Sequence, residues 1–132
     1  MQYSTTHRTN AMTQLATDIG VNAVIKIWSG SPPATCATAD SGTLGVTFAG
    51  NATQFGTASA GVLTASAVAS ANAVASITAG YFRIYPASAT STNAVVQGTC
   101  GTSGADMILT NTSIASGQAC NFTSLTVTAF GA

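Results

Sequence analysis

The chain has 132 residues, of which only 5% carry a formal charge, and its three basic and three acidic side chains give a net charge of zero. This composition excludes nucleic-acid binding, which needs several Lys or Arg side chains to neutralise phosphates, and it leaves few groups for acid–base catalysis. Hydrophobic residues make up 46% of the chain, so we expect one folded domain rather than a disordered one. Because an uncharged surface promotes association, the composition indicates a protein that works packed against other proteins.

The N-terminal region, residues 1–21, is predicted to be an arm followed by a short helix. Four apolar residues share one helical face: Met12, Leu15, Ala16 and Ile19. A polar residue at positions 4–6 can cap the start of the helix, and Gly20 stands where helices commonly end. Residues 1–6 read as a flexible arm, and we expect the chain before about Ala11 to become ordered only when a partner binds.

From residue 22 onward the apolar pattern changes to period two, which predicts β-strands. The predicted strands are 24–28, 44–48, 62–69, 73–79, 81–85, 94–99, 106–111 and 120–130. Between the first two strands, small polar residues and prolines predict an exposed loop. The period slips after Phe122, which predicts a bulge near residues 123–124. The pattern indicates a mainly β fold, an antiparallel β-sandwich or jelly-roll over residues 22–132.

One predicted strand region is ambiguous. The segment Ala65–Ala75 is rich in alanine, a composition that a helix would also tolerate. Its period of two and the flanking glycines favour strand.

Three cysteines, Cys36, Cys100 and Cys120, cannot form a complete intrachain disulfide framework because their number is odd. We expect buried free thiols that act as small hydrophobic groups, with a Cys100–Cys120 bridge left open if their strands are neighbours. The chain has one histidine, and no cysteine spacing matches a zinc site. We therefore expect no metal and no cofactor.

The stretch from Gly98 to Asp106 combines glycines with a serine, a cysteine and an aspartate, and so invites comparison with catalytic motifs. It lacks the second glycine of a nucleophile elbow and the Gly-Lys-Ser/Thr ending of a phosphate loop. We expect a tight connection between two strands, in which Asp106 caps backbone amides. The alternative is a small hydrolase that uses Ser103 or Cys100, but neither residue lies in a recognised catalytic motif.

Aromatic and basic residues supply the candidate contact surface. Three of them share one face of a predicted strand: Tyr81, Arg83 and Tyr85. An exposed Tyr/Arg/Tyr stripe is typical of a protein contact or a sugar-stacking surface. The alternative is an ordinary outer sheet face, or one in which Arg83 pairs with Asp40 or Asp106. Trp28, at the end of the first predicted strand, is either a further contact residue or a residue at the edge of the core. The candidate protein-contact residues are Tyr3, His7, Arg8, Trp28, Tyr81, Arg83 and Tyr85.

Six stretches beyond the predicted helix carry a family resemblance. They are residues 27–33 (IWSGSPP), 41–44 (SGTL), 55–61 (FGTASAG), 81–85 (YFRIY), 97–109 (QGTCGTSGADMIL) and 124–128 (SLTVT). Together they resemble a family of small virion proteins encoded beside capsid genes in tailed bacteriophages and prophages. The most specific part of the likeness is the pattern G-T-S-G-A-D-x-x-L within 97–109.

The resemblance implies a structural, non-enzymatic virion component, most simply a head decoration (cement) protein. Such a protein binds between subunits of the major capsid protein and forms closed homo-oligomers such as trimers. It would be made in the host cytoplasm, in keeping with an N-terminus that lacks signal-peptide features, and would reside on the head surface without contacting nucleic acid or membrane. Two alternatives stay open. One is a tail, neck or fibre-base component, and the other is a carbohydrate-binding module that stacks weakly bound glycans on Trp28, Tyr81 and Tyr85.

Overall fold

The computed structural model describes residues 1–66 and 69–131. In this part of the chain the elements follow in the order α1 Thr5–Ile19, β1 Val24–Ser29, β2 Leu44–Ala49, β3 Val62–Thr64, β4 Ala71–Asn72, β5 Ile77–Tyr85, β6 Val96–Gly101, β7 Met107–Leu109, β8 Ser113–Ile114, β9 Ala119–Cys120 and β10 Phe122–Thr128. An eight-stranded sheet runs β2-β1-β5-β6-β7-β10-β3, with β8 paired to β5, while β4 and β9 form a separate pair. The predicted mainly β, sandwich-like domain with a short N-terminal helix is confirmed. Its sheet is mixed rather than wholly antiparallel, because β6 and β7 run parallel.

Helix α1 begins inside the segment predicted to be a flexible arm. The hydroxyl of Ser4 accepts the backbone N–H of His7 at 3.2 Å, which is a favoured N-cap arrangement. Just before this cap, the N–H of Tyr3 donates to the carbonyl oxygen of Gly131 at 3.0 Å. These two contacts fix the start of the helix, so the predicted arm is too long. The helix ends, as predicted, at Gly20, where φ is +74°.

The core lies on the inner face of the sheet, against which α1 also packs. Its fully buried strand side chains largely follow the alternation expected of strands: Ile25, Ile27, Val46, Phe48, Phe82, Ile84, Met107 and Leu125. Phe48 and Phe122 meet edge to face, with ring centroids 5.5 Å apart. Each such side chain stabilises the fold by roughly 1.5–3 kcal/mol when fully buried. Among the described residues, no helix is both long and apolar enough to cross a membrane.

Strand β5 is one long strand where the sequence predicts two, at 73–79 and 81–85. A register shift against β1 leaves Gly80 as an extra residue, which forms a β-bulge. The bulge changes which side of the chain faces inward, because Ala79 lies in the core before it and Phe82 lies in the core after it. The prediction of two strands is therefore wrong, because the chain continues through a bulge at Gly80 within one strand.

The connection between β6 and β7 is tight, as predicted, and Asp106 holds it. Its carboxylate accepts both the backbone N–H and the hydroxyl of Thr99, each at 2.8 Å. The same carboxylate lies against Gly98, where a side chain would displace it. The predicted capping role of Asp106 is confirmed, and its effect is to hold β7 beside the end of β6.

The remaining differences concern short elements. The strand predicted over 62–69 ends at Thr64 in β3, and residues 67–68 of that prediction lie outside the described part. Strands β4 and β8, of two residues each, were not predicted, and residues 73–76 of the strand predicted over 73–79 are not in a strand. The strand predicted over 120–130 is divided between β9 and β10 and ends at Thr128. The predicted bulge near residues 123–124 is confirmed by a register shift between Phe122 and Ser124.

Candidate protein-contact site

Arg83 is a fully buried cation at the centre of a polar network on the outer face of β5. Its guanidinium forms a salt bridge with the carboxylate of Asp40 at 2.8 Å, and the exposed fractions of the two side chains are 0% and 8%. It also donates to the carbonyl oxygens of Thr35 and Thr38, each at 2.8 Å. On its other side it donates to Oε1 of Gln97 at 2.8 Å. One side chain thus ties the loop between β1 and β2, residues 30–43, onto the sheet; we call this loop the strap.

Two tyrosines of the same strand hold the end of the strap. The hydroxyl of Tyr81 donates to the carbonyl oxygen of Ser41 at 2.7 Å and accepts the N–H of the same residue at 3.1 Å. The hydroxyl of Tyr85 donates to the carboxylate of Asp40. Burial, followed by the hydrogen bond to Asp40, raises the pKa of Tyr85 well above its ordinary value, so the hydroxyl stays protonated as a donor.

The strap overturns the prediction of an exposed stripe on β5. Tyr81, Arg83 and Tyr85 do share one face, but all three are fully buried, because the strap crosses over that face. The alternative interpretation, in which Arg83 pairs with Asp40, is confirmed. Tyr81 and Tyr85 are consequently inaccessible as platforms for stacking a sugar, and they cannot contact a partner while the strap is closed.

Trp28 belongs to the same layer as a half-buried residue at its edge. Its ring lies nearly parallel to that of Tyr81, with centroids 6.5 Å apart and planes 11° from each other. The indole N–H is buried and finds no hydrogen-bond partner among residues 1–66 and 69–131. The structure therefore favours the core-edge interpretation of Trp28.

The N-terminal candidates assemble into a different, exposed surface together with a residue from the other end of the chain. The ring of Tyr3 stacks on His7, with centroids 5.1 Å apart, and meets the ring of Phe130 edge-on at 5.6 Å. Phe130 is 74% exposed, and Arg8 follows His7 in α1. We call Tyr3, His7, Arg8 and Phe130 the terminal patch.

The hairpin turn before β3 supports Arg8 within this patch. Ala60 and Gly61 both have positive φ, at 50° and 78°, which is the geometry of a type I′ turn. The side chain of Arg8 lies directly over Gly61, where a β-carbon would collide with it. The carbonyl oxygen of Gly61 accepts the N–H of Ala129 at 2.9 Å, and this bond brings the turn beside Phe130.

Phe130 is the exposed aromatic residue of the terminal patch that the sequence did not single out. It is the last residue of the strand predicted over 120–130. Because successive side chains of a strand point to opposite faces, its position in the strand decides whether it faces the core or the solvent. The core position is taken by its neighbour Ala129, which is 5% exposed. Following the alternation to the end of the strand, past the predicted bulge, would have placed Phe130 outside.

The cysteines are free thiols and do not form a reactive site. Burial, with a further contribution from the charge of Asp106, raises the pKa of Cys100 to about 12, and its thiol lies 3.9 Å from Sδ of Met107. Burial also raises the pKa of Cys120. Neither thiol is activated as a nucleophile, because the thiolate is the reactive form. The three cysteines are unpaired, so the Cys100–Cys120 bridge that the sequence left open does not form.

The pKa of Cys100 predicts a loss of stability in alkali. Because the folded pKa lies above the ordinary value of 9.0, the contribution of the buried thiol is complete below about pH 9 and is lost as the pH rises towards 12. We expect the free energy of unfolding, from urea denaturation, to fall between about pH 8 and about pH 11, and to fall less in Cys100→Ala. Tyr85 adds to the decline in both proteins. If the free energy of unfolding fell equally in Cys100→Ala and in the wild type, the loss would not come from ionisation of the Cys100 thiol.

Comparison of the chain with known proteins gives no match. No protein-family model fits the sequence, and neither a curated protein nor a solved structure is significantly similar to it. Function is therefore inferred from the molecule itself, in particular from its sparsely charged surface, its strap and its terminal patch.

Proposed function

We propose that this protein is a bacteriophage virion structural protein that decorates the head and stabilises it by binding between subunits of the major capsid protein. The resemblance of residues 97–109 and the other stretches to small virion proteins supports this function. The observation that carries it is the scarcity of charge, 5% of residues, in a chain rich in serine, threonine and alanine, because such a surface favours association with other proteins over free solution.

The few charged side chains are largely engaged within the molecule. Arg83 and Asp40 neutralise each other under the strap. The ammonium group of Lys26 lies 4.8 Å from the centre of the Tyr85 ring, and Asp106 is held by Thr99. The outer surface of the protein is therefore nearly neutral. Such a surface suits large contacts with protein and offers too few cations to bind nucleic acid.

The strap is suited to a role in such contacts because it is held rigidly from beneath. Its outward residues are small and uncharged, as at Ala34, Ala37 and Ala39. A loop fixed in advance loses little conformational entropy when a partner covers it. Copies of the protein would then sit in the seams of the shell, most simply as a homo-oligomer on a local symmetry axis.

The mechanism of stabilisation is thermodynamic linkage. A protein that binds the assembled, expanded shell and not its dissociated subunits stabilises the shell by mass action. A tail, neck or fibre-base position would use the same kind of surface, and the number of copies per particle separates these positions from the head. The carbohydrate-binding alternative loses two of its three platforms to burial, since only Trp28 among them keeps partial exposure.

Reconstitution tests the proposed function. Heads assembled in the absence of this protein are incubated with the purified wild-type chain, sedimented, and heated until they release DNA. We expect saturable binding and a rise in the temperature of DNA release that follows the occupancy. Failure of the wild-type protein to bind the heads would contradict the proposed function.

A further inference from the structure

We infer that the terminal patch is the docking surface for the partner, and that it receives an apolar side chain of the partner protein beside a carboxylate. The inference rests on the proposed function for the identity of that partner, the major capsid protein. Two independent features of the patch carry it, a partly exposed but immobilised aromatic cluster and a cation with no counterion in the described part of the chain.

The aromatic cluster has two exposed rings, His7 and Phe130, on either side of the half-buried Tyr3, and it is held in place. Phe130 is 74% exposed, and its ring lies edge-on to Tyr3, which is itself stacked on His7. The backbone N–H of Tyr3 is fixed by Gly131 at 3.0 Å, and the ring lies directly against that glycine. A large aromatic residue whose conformation is set before binding loses little entropy on docking, and such residues dominate the affinity of protein interfaces.

The cation is Arg8, which borders the cluster. Among residues 1–66 and 69–131, its buried Nε has no hydrogen-bond partner, and the single ion pair is Arg83–Asp40. Packing over Gly61 restricts the side chain. The buried Nε is closed to a partner, so the donors open to one are the two Nη groups. A guanidinium fits a carboxylate with two parallel hydrogen bonds, which these two groups can supply.

These two features together define the occupant by its chemistry. Charge complementarity calls for an Asp or Glu side chain, and the neighbouring Phe130 calls for an apolar surface next to it. A phosphate polymer is disfavoured because one cation cannot neutralise a row of phosphates. The partner is therefore a protein segment in which an acidic residue adjoins an apolar one.

Four proteins test the inference in the head-binding assay: the wild type, Phe130→Ser, Arg8→Gln and Val21→Ser. We expect Phe130→Ser to raise the Kd at least about 30-fold, and Arg8→Gln to raise it at least about tenfold. Val21 is 61% exposed and lies outside the patch, near the C-terminal end of α1, so Val21→Ser is the matched control and should bind like the wild type. Phe130 is also too exposed for its truncation to open the core, and melting curves verify that each variant is folded.

Salt dependence separates the charged contact from the apolar one. Wild-type affinity should fall between about 0.1 M and about 1 M ionic strength, and this fall should be lost in Arg8→Gln and kept in Arg8→Lys. Unchanged binding of both Phe130→Ser and Arg8→Gln would overturn the inference while leaving the proposed function standing. If Arg8→Gln binds like the wild type and Phe130→Ser does not, the proposed contact between Arg8 and a carboxylate of the partner is overturned. No binding by the wild type would overturn the proposed function and the inference together.

Discussion

The Arg83→Met variant is expected to lose about 3–5 kcal/mol of the free energy of unfolding, because it leaves the carboxylate of Asp40 buried without its counterion. The guanidinium also supplies hydrogen bonds to the carbonyl oxygens of Thr35 and Thr38 in the strap. Their loss should loosen the strap and expose Trp28 to water. Urea denaturation measures the first effect, and a red shift of tryptophan emission in the folded variant measures the second.

Lys26 provides the matched control for this experiment. It lies directly opposite Arg83 in the β1–β5 ladder and is a cation of similar length. Its ammonium group lies over the ring of Tyr85, and it forms no ion pair within residues 1–66 and 69–131. Lys26→Met should therefore cost no more than about 1 kcal/mol. The double variant Arg83→Met/Asp40→Leu should recover part of the loss, since no buried charge is then left unpaired. Equal effects of Arg83→Met and Lys26→Met would contradict the role given to the buried pair.

Gly80→Ala is expected to destabilise the fold by about 1–3 kcal/mol, the usual range for forcing extra atoms into a closely packed site. A β-carbon at position 80 would collide with the carbonyl oxygen of Gly30, at the start of the strap. Because that obstacle is backbone, relief requires the bulge or the strap to move. Thermal and urea denaturation measure the loss.

Gly56→Ala is the control for a glycine without such a neighbour. A β-carbon there would meet no atom within 4 Å, and the substitution reduces the conformational entropy of the unfolded chain. We expect Gly56→Ala to be neutral or slightly stabilising. An equally harmless Gly80→Ala would contradict the close packing of the bulge against the backbone of Gly30.

Local sequence patterns predicted most of the fold correctly. The alternation of apolar residues in 24–28 and 44–48 identified β1 and β2. The polar residues at positions 4–6 predicted a cap, and the structure places it at Ser4. The slip of period after Phe122 identified the bulge in β10. Each of these features is determined by residues that lie close together in the sequence, so a local pattern is enough to predict it.

The contact surface was harder to predict because it depends on residues far apart in the chain. An alternating strand indicates which side chains share a face, as Tyr81, Arg83 and Tyr85 do, but not whether a loop such as the strap covers that face. Conversely, Phe130 becomes a contact candidate only when Tyr3 is seen beside it. The sequence named Asp40 as a possible partner of Arg83, and the fold decided between that pairing and an exposed stripe.

The central claim, that this protein is a head decoration protein, is tested most directly by quantitative peptide mass spectrometry of purified particles whose heads and tails are separated before digestion. We expect many copies, comparable in number to the major capsid protein, that travel with the heads. A few copies that travel with the tails, or absence from both fractions, would contradict it.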